Sequence, residues 1–251
     1  MKKLFSITSL AALAAASPLS AQDAEKPKML SPGQIVDQAA PEEWVVIAPS
    51  DLLIMDLGVD TAGKERKVII QLMPPPFSQG WIRNIRKLAQ ANWWDGTSIN
   101  RVQDNYVVQW GDPAEEESER KPLPDGLEVM TEGDYSILDS SLMDKLKNSP
   151  KDKISRLEKG NYGFSGFFAG WRFGLEKPKL ETAVPIWPIH CYGALGVGRN
   201  LSPDTGSGAE LYTVIGHAPR HLDRNIAVVG RIIEGMHHLS SLPRGFGPLG
   251  F

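Results

Sequence analysis

Beyond residue 43 the apolar runs of this chain are short and closely punctuated by glycine and proline, which rules out long helices and favours many short strands. Ordered structure is expected to begin at Trp44-Val45-Val46-Ile47. Leu52 to Leu57 and the β-branched run Val68-Ile69-Ile70-Gln71-Leu72 flank a polar turn at Thr61 to Lys64 and read as a hairpin. Pro74-Pro75-Pro76 ends it, because proline cannot donate to a sheet ladder. Only one stretch has a clear helical period: Ile82, Ile85, Leu88 and Ala89 repeat at three- and four-residue spacing, with Ser78 as N-cap and Arg83, Arg86 and Lys87 facing elsewhere. It should stop near Asn92, and Trp93-Trp94-Asp95-Gly96 turns the chain into a second hairpin, Asn100 to Asp112. Asp104-Asn105 is its natural turn, since Asn tolerates the left-handed backbone of tight turns. Cys191 to Val197, Leu211 to Ile215 and Ile226 to Gly230 read as three further strands. With 24 Gly and 19 Pro to supply turns, this pattern predicts an all-β barrel with one or two helices against it.

The N-terminus is expected to fall outside that domain. Lys2 and Lys3, the apolar run Leu4 to Ala16 and the small-residue stretch ending at Ala21 have the three parts of a secretory signal peptide, residues 1–21. The run is shorter than the roughly 20 residues that span a bilayer, so cleavage is favoured over anchoring, with no stable membrane insertion afterwards. A periplasmic or secreted protein is expected. Residues 22–42, rich in Pro, Ala, Lys and Glu, read as a flexible leader, and residues 43–251 as one domain. Within it, about 113–160 is first acidic (Glu115-Glu116-Glu117) and then lysine-rich, and reads as a surface insertion. Gly163 to Gly174, with Tyr162 before it, is aromatic and is expected to pack back on the barrel. The single cysteine, Cys191, excludes an internal disulfide, so the core must hold the fold. A net charge of −3 with no basic stripe argues against a nucleic-acid partner.

Four blocks of the sequence, in order, resemble the cyclophilin-type peptidyl-prolyl cis-trans isomerases. The first runs from Val68 to Asp112 and includes Asn100-Arg101-Val102 and Gln109-Trp110-Gly111-Asp112. The second is Gly193 to Arg199, the third Pro203-Asp204-Thr205 through Glu210-Leu211-Tyr212. The fourth holds His221-Leu222-Asp223, Val228-Val229-Gly230-Arg231 and Glu234-Gly235-Met236. The wording is similar to a divergent bacterial branch. The resemblance implies a mainly β, cyclophilin-like closed β-barrel with one or two packing helices. In that family a last strand closes the barrel beyond the helix after Glu-Gly-Met, and no β-rich run occurs there in this chain. Either that strand is missing, or an earlier segment such as Leu52 to Leu57 fills the edge.

The resemblance also implies an isomerase acting on proline-containing unfolded or newly exported polypeptides, without metal or cofactor. Rotation about a prolyl amide faces a barrier of about 20 kcal/mol because the twisted state loses resonance. The resemblance puts Arg101 beside the pyramidal proline nitrogen of that state, where a fixed cation stabilises the transition state more than the planar substrate. The bland reading of Arg101 is a surface ion pair with Asp112. Family positions for the proline socket fall on Tyr106, Val107, Tyr212 and Leu222. Gln109 and Glu210 fall where two glutamines hold the substrate backbone, and His221 where the eukaryotic type has a cyclosporin-favouring tryptophan, so weak cyclosporin affinity is expected. Tyr106 and Gln109 are an odd number of positions apart, so for both to serve one site the strand must bulge or twist there. For Tyr106 and Tyr212 the competing reading is ordinary core.

Other signals carry less. Gly193 to Gly198 lacks the glycine spacing and following helix of a dinucleotide loop. His217 and His221 have helical metal spacing, but Pro219 between them spoils the helix. No Gly-x-Ser-x-Gly elbow occurs, and Cys191 has no evident activating neighbour. From a different functional class, a catalytically weak cyclophilin-fold chaperone or proline-peptide binding protein is the alternative.

Overall fold

The computed structural model describes residues 29–114, 116–138, 158–160, 163–176 and 184–251. They fall into two units, one up to Val46 and one from Ile47 on. In the first, Ser31 and Gln34 exchange the reciprocal bonds of a capping box, at 3.3 and 2.9 Å, and start the short helix α1 (Pro32–Asp37). This turn of helix lies within the stretch read as a leader. The proposed signal peptide, residues 1–21, lies outside the described residues, as do Glu115, residues 139–157 of the insertion and Tyr162.

The second unit is built on two antiparallel sheets. The larger takes β1 (Leu52–Leu57), β2 (Arg66–Leu72), β3 (Ser98–Val102), β4 (Val107–Gly111), β10 (Ala194–Val197), β11 (Leu211–Val214) and β12 (Val228–Glu234) in the order β1-β2-β12-β10-β11-β4-β3. Its strands alternate as a half-buried sheet should: on β2, Val68, Ile70 and Leu72 are buried while Lys67 is exposed. The sheet curls into a half-barrel, and the expected closure is not seen among the described residues. Leu52–Leu57 pairs with β2 on one side only, so β1 and β3 are both edges among the described residues. A cavity of about 220 Å³, lined by Met55, Leu57, Trp94, Ile99 and Trp110 among others, lies between them.

Helix α2 (Gln79–Gln90) buries Trp81, Ile82, Ile85 and Leu88 in the core, the face its periodicity marked. Ser78 does not cap it. Its backbone is left-handed (φ 56°), and its hydroxyl donates to Val228 O at 2.7 Å, tying the helix start to β12. Helix α3 (Met236–Ser240) follows Gly235, whose φ is 79° and whose added Cβ would come 2.2 Å from Lys67 O. Only glycine fits so close to β2, which accounts for the Glu-Gly-Met wording.

The smaller sheet has the order β5-β9-β8-β7-β6, from β5 (Ile137–Leu138), β6 (Glu158–Gly160), β7 (Gly163–Phe168), β8 (Trp171–Leu175) and β9 (Pro185–Pro188). The aromatic stretch is therefore a hairpin. Its turn, Ala169-Gly170, has positive φ at both residues, 48° and 78°, as a tight two-residue hairpin demands. Strand β9 was not evident in the sequence because prolines bound it. Pro185 cannot donate, yet its carbonyl still accepts from the Glu176 N–H at 3.3 Å.

The insertion read as surface is in part core. Met130 and Tyr135 are buried, and Tyr135 stacks on Trp81 at 5.6 Å. Fully buried Asn84 on α2 donates to Glu128 O at 2.8 Å and accepts from the Glu128 N–H at 2.8 Å, while Arg83 pairs with the Glu128 carboxylate at 2.6 Å. Two apolar side chains and one buried amide are enough to bind a largely polar segment along the helix.

Candidate active site

The register of the larger sheet builds the site. Residues directly opposite in neighbouring strands share a face. Arg101 on β3 lies opposite Gln109 on β4, Gln109 opposite Tyr212 on β11, and Tyr212 opposite Gly196 on β10. One row across four strands thus carries a guanidinium, an amide, a phenol and a glycine. A bulge makes this possible, though not where the sequence suggested. Between Ile99↔Trp110 and Arg101↔Gln109 the register shifts, so Asn100 is the extra residue on β3. Tyr106 precedes β4 and sits in the turn, free of strand alternation, so no bulge is required between it and Gln109.

Arg101 is held on several sides. Its Nε donates to Leu249 O at 2.8 Å, one Nη reaches Gln109 Oε1 at 3.5 Å, and the other bonds to Gln103 Oε1. The guanidinium lies 5.5 Å from the Tyr106 ring centre and 5.3 Å from that of Phe251, within cation–π range of both. No carboxylate pairs with it among the described residues. Asp112, its expected ion-pair partner on the bland reading, instead accepts from the backbone N–H groups of Ala114 and Lys121, at 3.2 and 2.5 Å. Partial burial lowers the Arg101 pKa from its ordinary value, opposed by Tyr106, but a guanidinium stays charged throughout the physiological range.

The remaining predicted residues surround this row. The Tyr106 hydroxyl lies 3.1 Å from His221 Nε2, and the two rings stack at 5.7 Å. The Tyr106 hydroxyl pKa is raised by burial and drawn back by Arg101. His221 is exposed on the turn Arg220–Leu222, while Leu222 is buried in the same core cluster as Val107 and Tyr212. Val107, two residues from Gln109, shares its face of β4. On Gln109's other flank, Glu210 Oε2 sits 3.5 Å from both the Gln109 and Asn100 side-chain amides. These three residues lie in a cleft of about 640 Å³ whose rim includes Lys121, Leu123 and Arg199. Burial raises the Glu210 pKa, offset in part by bonds from Asn100 and Gln109. Tyr212 is buried, and its pKa is raised well above the ordinary phenol value, first by burial.

All eight predicted residues therefore belong to one neighbourhood. The sequence reading missed the groups that hold them in place. Gln103 follows the end of β3, two residues from Arg101, and bonds to it there. Leu249 and Phe251 are nearly 150 positions away, and no local pattern connects them to Arg101. Neither does one connect His190 and Asp223 to Tyr212.

A family model described as cyclophilin type peptidyl-prolyl cis-trans isomerase/CLD matches residues 65–247. The chain belongs to that family. Among solved structures, it is similar to cyclophilin AquaCyp293 from Hirschia baltica, with a TM-score of 0.61 and 22% sequence identity over 88% of this chain and 77% of that one. At that identity the likeness is one of fold. A search of curated proteins found no match.

Proposed function

We propose that this protein is an active peptidyl-prolyl cis-trans isomerase of exported polypeptides, with Arg101 as its catalytic cation. Support comes first from the family, and then from one observation: Arg101 shares a sheet face with Gln109 and Tyr212 and has no carboxylate partner among the described residues. An ion-paired arginine would spend its field on the partner. This one is anchored through Nε by a neutral carbonyl, which leaves the charge available to a proline nitrogen that regains its lone pair as the amide twists. Such a lone pair exists only near the transition state, so the interaction lowers the barrier rather than merely tightening binding.

On this reading Tyr106, Val107, Tyr212 and Leu222 form the apolar socket for the proline ring, and His221 closes it through its bond to Tyr106. Gln109 and Glu210 hold the substrate backbone beside the cleft. No covalent intermediate is needed. The exported setting rests on the Lys2-Lys3 start and apolar run of the N-terminus, and makes unfolded or newly translocated chains the substrates.

Measuring isomerisation of a proline-containing peptide by wild type and Arg101→Ala tests the proposal. A rate that depends on Arg101, with peptide binding retained, is expected. Equal rates for the two proteins would exclude catalysis by Arg101 and favour a cyclophilin-fold binding protein.

A further inference from the structure

His190, between β9 and β10, is fully buried and has no part in the chemistry proposed above. Its Nδ1 lies 3.0 Å from Asp223 Oδ1 and its Nε2 2.8 Å from the Tyr212 hydroxyl. A carboxylate can only accept, so Nδ1 carries the proton and Nε2 accepts from Tyr212. The His190 backbone N–H donates to the same Asp223 oxygen at 3.0 Å. The other oxygen of Asp223 lies 2.9 Å from Arg220 Nε, close enough for an ion pair although off the line of a hydrogen bond. The imidazole and phenol planes are within 6° of parallel. Burial lowers the His190 pKa and Asp223 opposes that shift, so the ring is a neutral connector at physiological pH.

The two groups that His190 joins come from different walls of the socket. Tyr212 is on β11 in the row with Arg101 and Gln109, whereas Asp223 ends the turn that carries His221 and Leu222. Gly196 completes the arrangement. An added Cβ there would come 2.3 Å from the Tyr212 hydroxyl and Cζ, so a bare backbone lets the tyrosine lie across β10 toward His190. A phenol buried this deeply needs a partner, and the bond to His190 gives its hydroxyl one fixed position.

We infer that His190 is a positioning residue for the proline socket: Asp223 holds the tautomer in which its Nε2 accepts from the Tyr212 hydroxyl, and that bond sets the position of the Tyr212 ring. The inference rests on the reading of Tyr212 and Leu222 as socket walls. Two substitutions separate the two ends of the imidazole. The amide of His190→Gln reaches the place of Nε2 and keeps the bond to Tyr212. That of His190→Asn reaches only the place of Nδ1 and keeps the bond to Asp223.

Isomerisation kinetics and calorimetric titration with one proline-containing peptide test this on the full chain. His190→Asn is expected to lower kcat/KM and weaken peptide binding about tenfold, chiefly through KM, while His190→Gln stays within about threefold of wild type. In a Tyr212→Phe background, His190→Asn should cost nothing further, an outcome that a purely structural histidine would not produce. Tyr212→Phe alone, which preserves ring volume and needs no folded His190 variant, should lose about threefold. Wild-type kinetics and binding in Tyr212→Phe, or equal losses from His190→Asn in both backgrounds, would overturn the inference. If no Arg101-dependent rate exists, the catalytic reading fails, and the peptide affinities of the same variants still decide the role of His190.

Discussion

The two sheets of the larger unit hold their functional-looking side chains by different means. At the seven-stranded sheet, hydrogen bonds link Arg101 to Gln109 and Gln109 to Glu210, and separately Tyr212 to His190, while strand register sets Arg101, Gln109 and Tyr212 in one row. In the five-stranded sheet the notable contacts are cations laid on rings: Arg172 over Phe167 at 4.9 Å, and Arg231 from β12 over Trp171 at 4.2 Å. Register sets Arg101 opposite Gln109 and equally sets Arg172 opposite Phe167, so the two sheets differ in what the row carries, hydrogen-bonding groups in one and a cation on a ring in the other. The first sheet therefore suits a site that must hold a charge beside one nitrogen.

That contrast can be broken most sharply at Arg101. Arg101→Ala should reduce the isomerisation rate by about a hundredfold or more with little change in the melting temperature, as measured by a coupled peptide assay and by calorimetry. Gly196→Ala ranks next. The new methyl would meet the Tyr212 ring, so a loss of about 1–3 kcal/mol in denaturant melts should accompany a fall in rate. If the variant is as stable as wild type, the close packing of Tyr212 on β10 is not as described. Phe251→Ala removes one of the two rings beside Arg101 and should lower kcat by about two- to fivefold, the equivalent of one partly exposed cation–π contact.

In the other sheet, Trp171→Ala should cost about 1 kcal/mol of stability and leave the rate alone. A matching fall in rate would show that the two sheets are not separate in function. The smallest effect is one of pH. Burial raises the Glu210 pKa, so the stability tied to its protonated form is present below the unfolded carboxylate value of about 4.3 and is lost as pH rises through the higher folded value. Glu210→Gln, always neutral, should melt higher than wild type at neutral pH and lose that advantage near pH 4. An advantage independent of pH would mean that the carboxylate is not opposed by burial.

Much of the candidate site was legible because the residues it brings together lie in short local patterns. Arg101 and Gln109 share one hairpin, and Asn105, at φ 50°, makes the left-handed turn its residue type announced. Helix α2 was equally plain from its period. The bulge was harder. The spacing called for a bulge or twist between Tyr106 and Gln109 if both served one site, but Tyr106 lies outside β4 and needs none, and the bulge is at Asn100 on β3, where it sets Arg101 opposite Gln109. Strand β9 and the buried part of the insertion were hidden for related reasons: prolines at both ends mask a four-residue strand, and a few buried residues in a polar segment leave no period to read.

By itself the sequence determined the strands of the seven-stranded sheet, the one amphipathic helix and the family, since each rests on patterns shorter than a hairpin or on blocks in a set order. Tertiary structure alone decided that β1 and β3 are edges among the described residues, that Leu249 and Phe251 meet Arg101, and that His190 joins Tyr212 to Asp223. Local sequence reports the alternation of side chains along a strand. Which distant groups meet depends on how the strands pair and how far the sheet curls, and those are properties of the whole packed core.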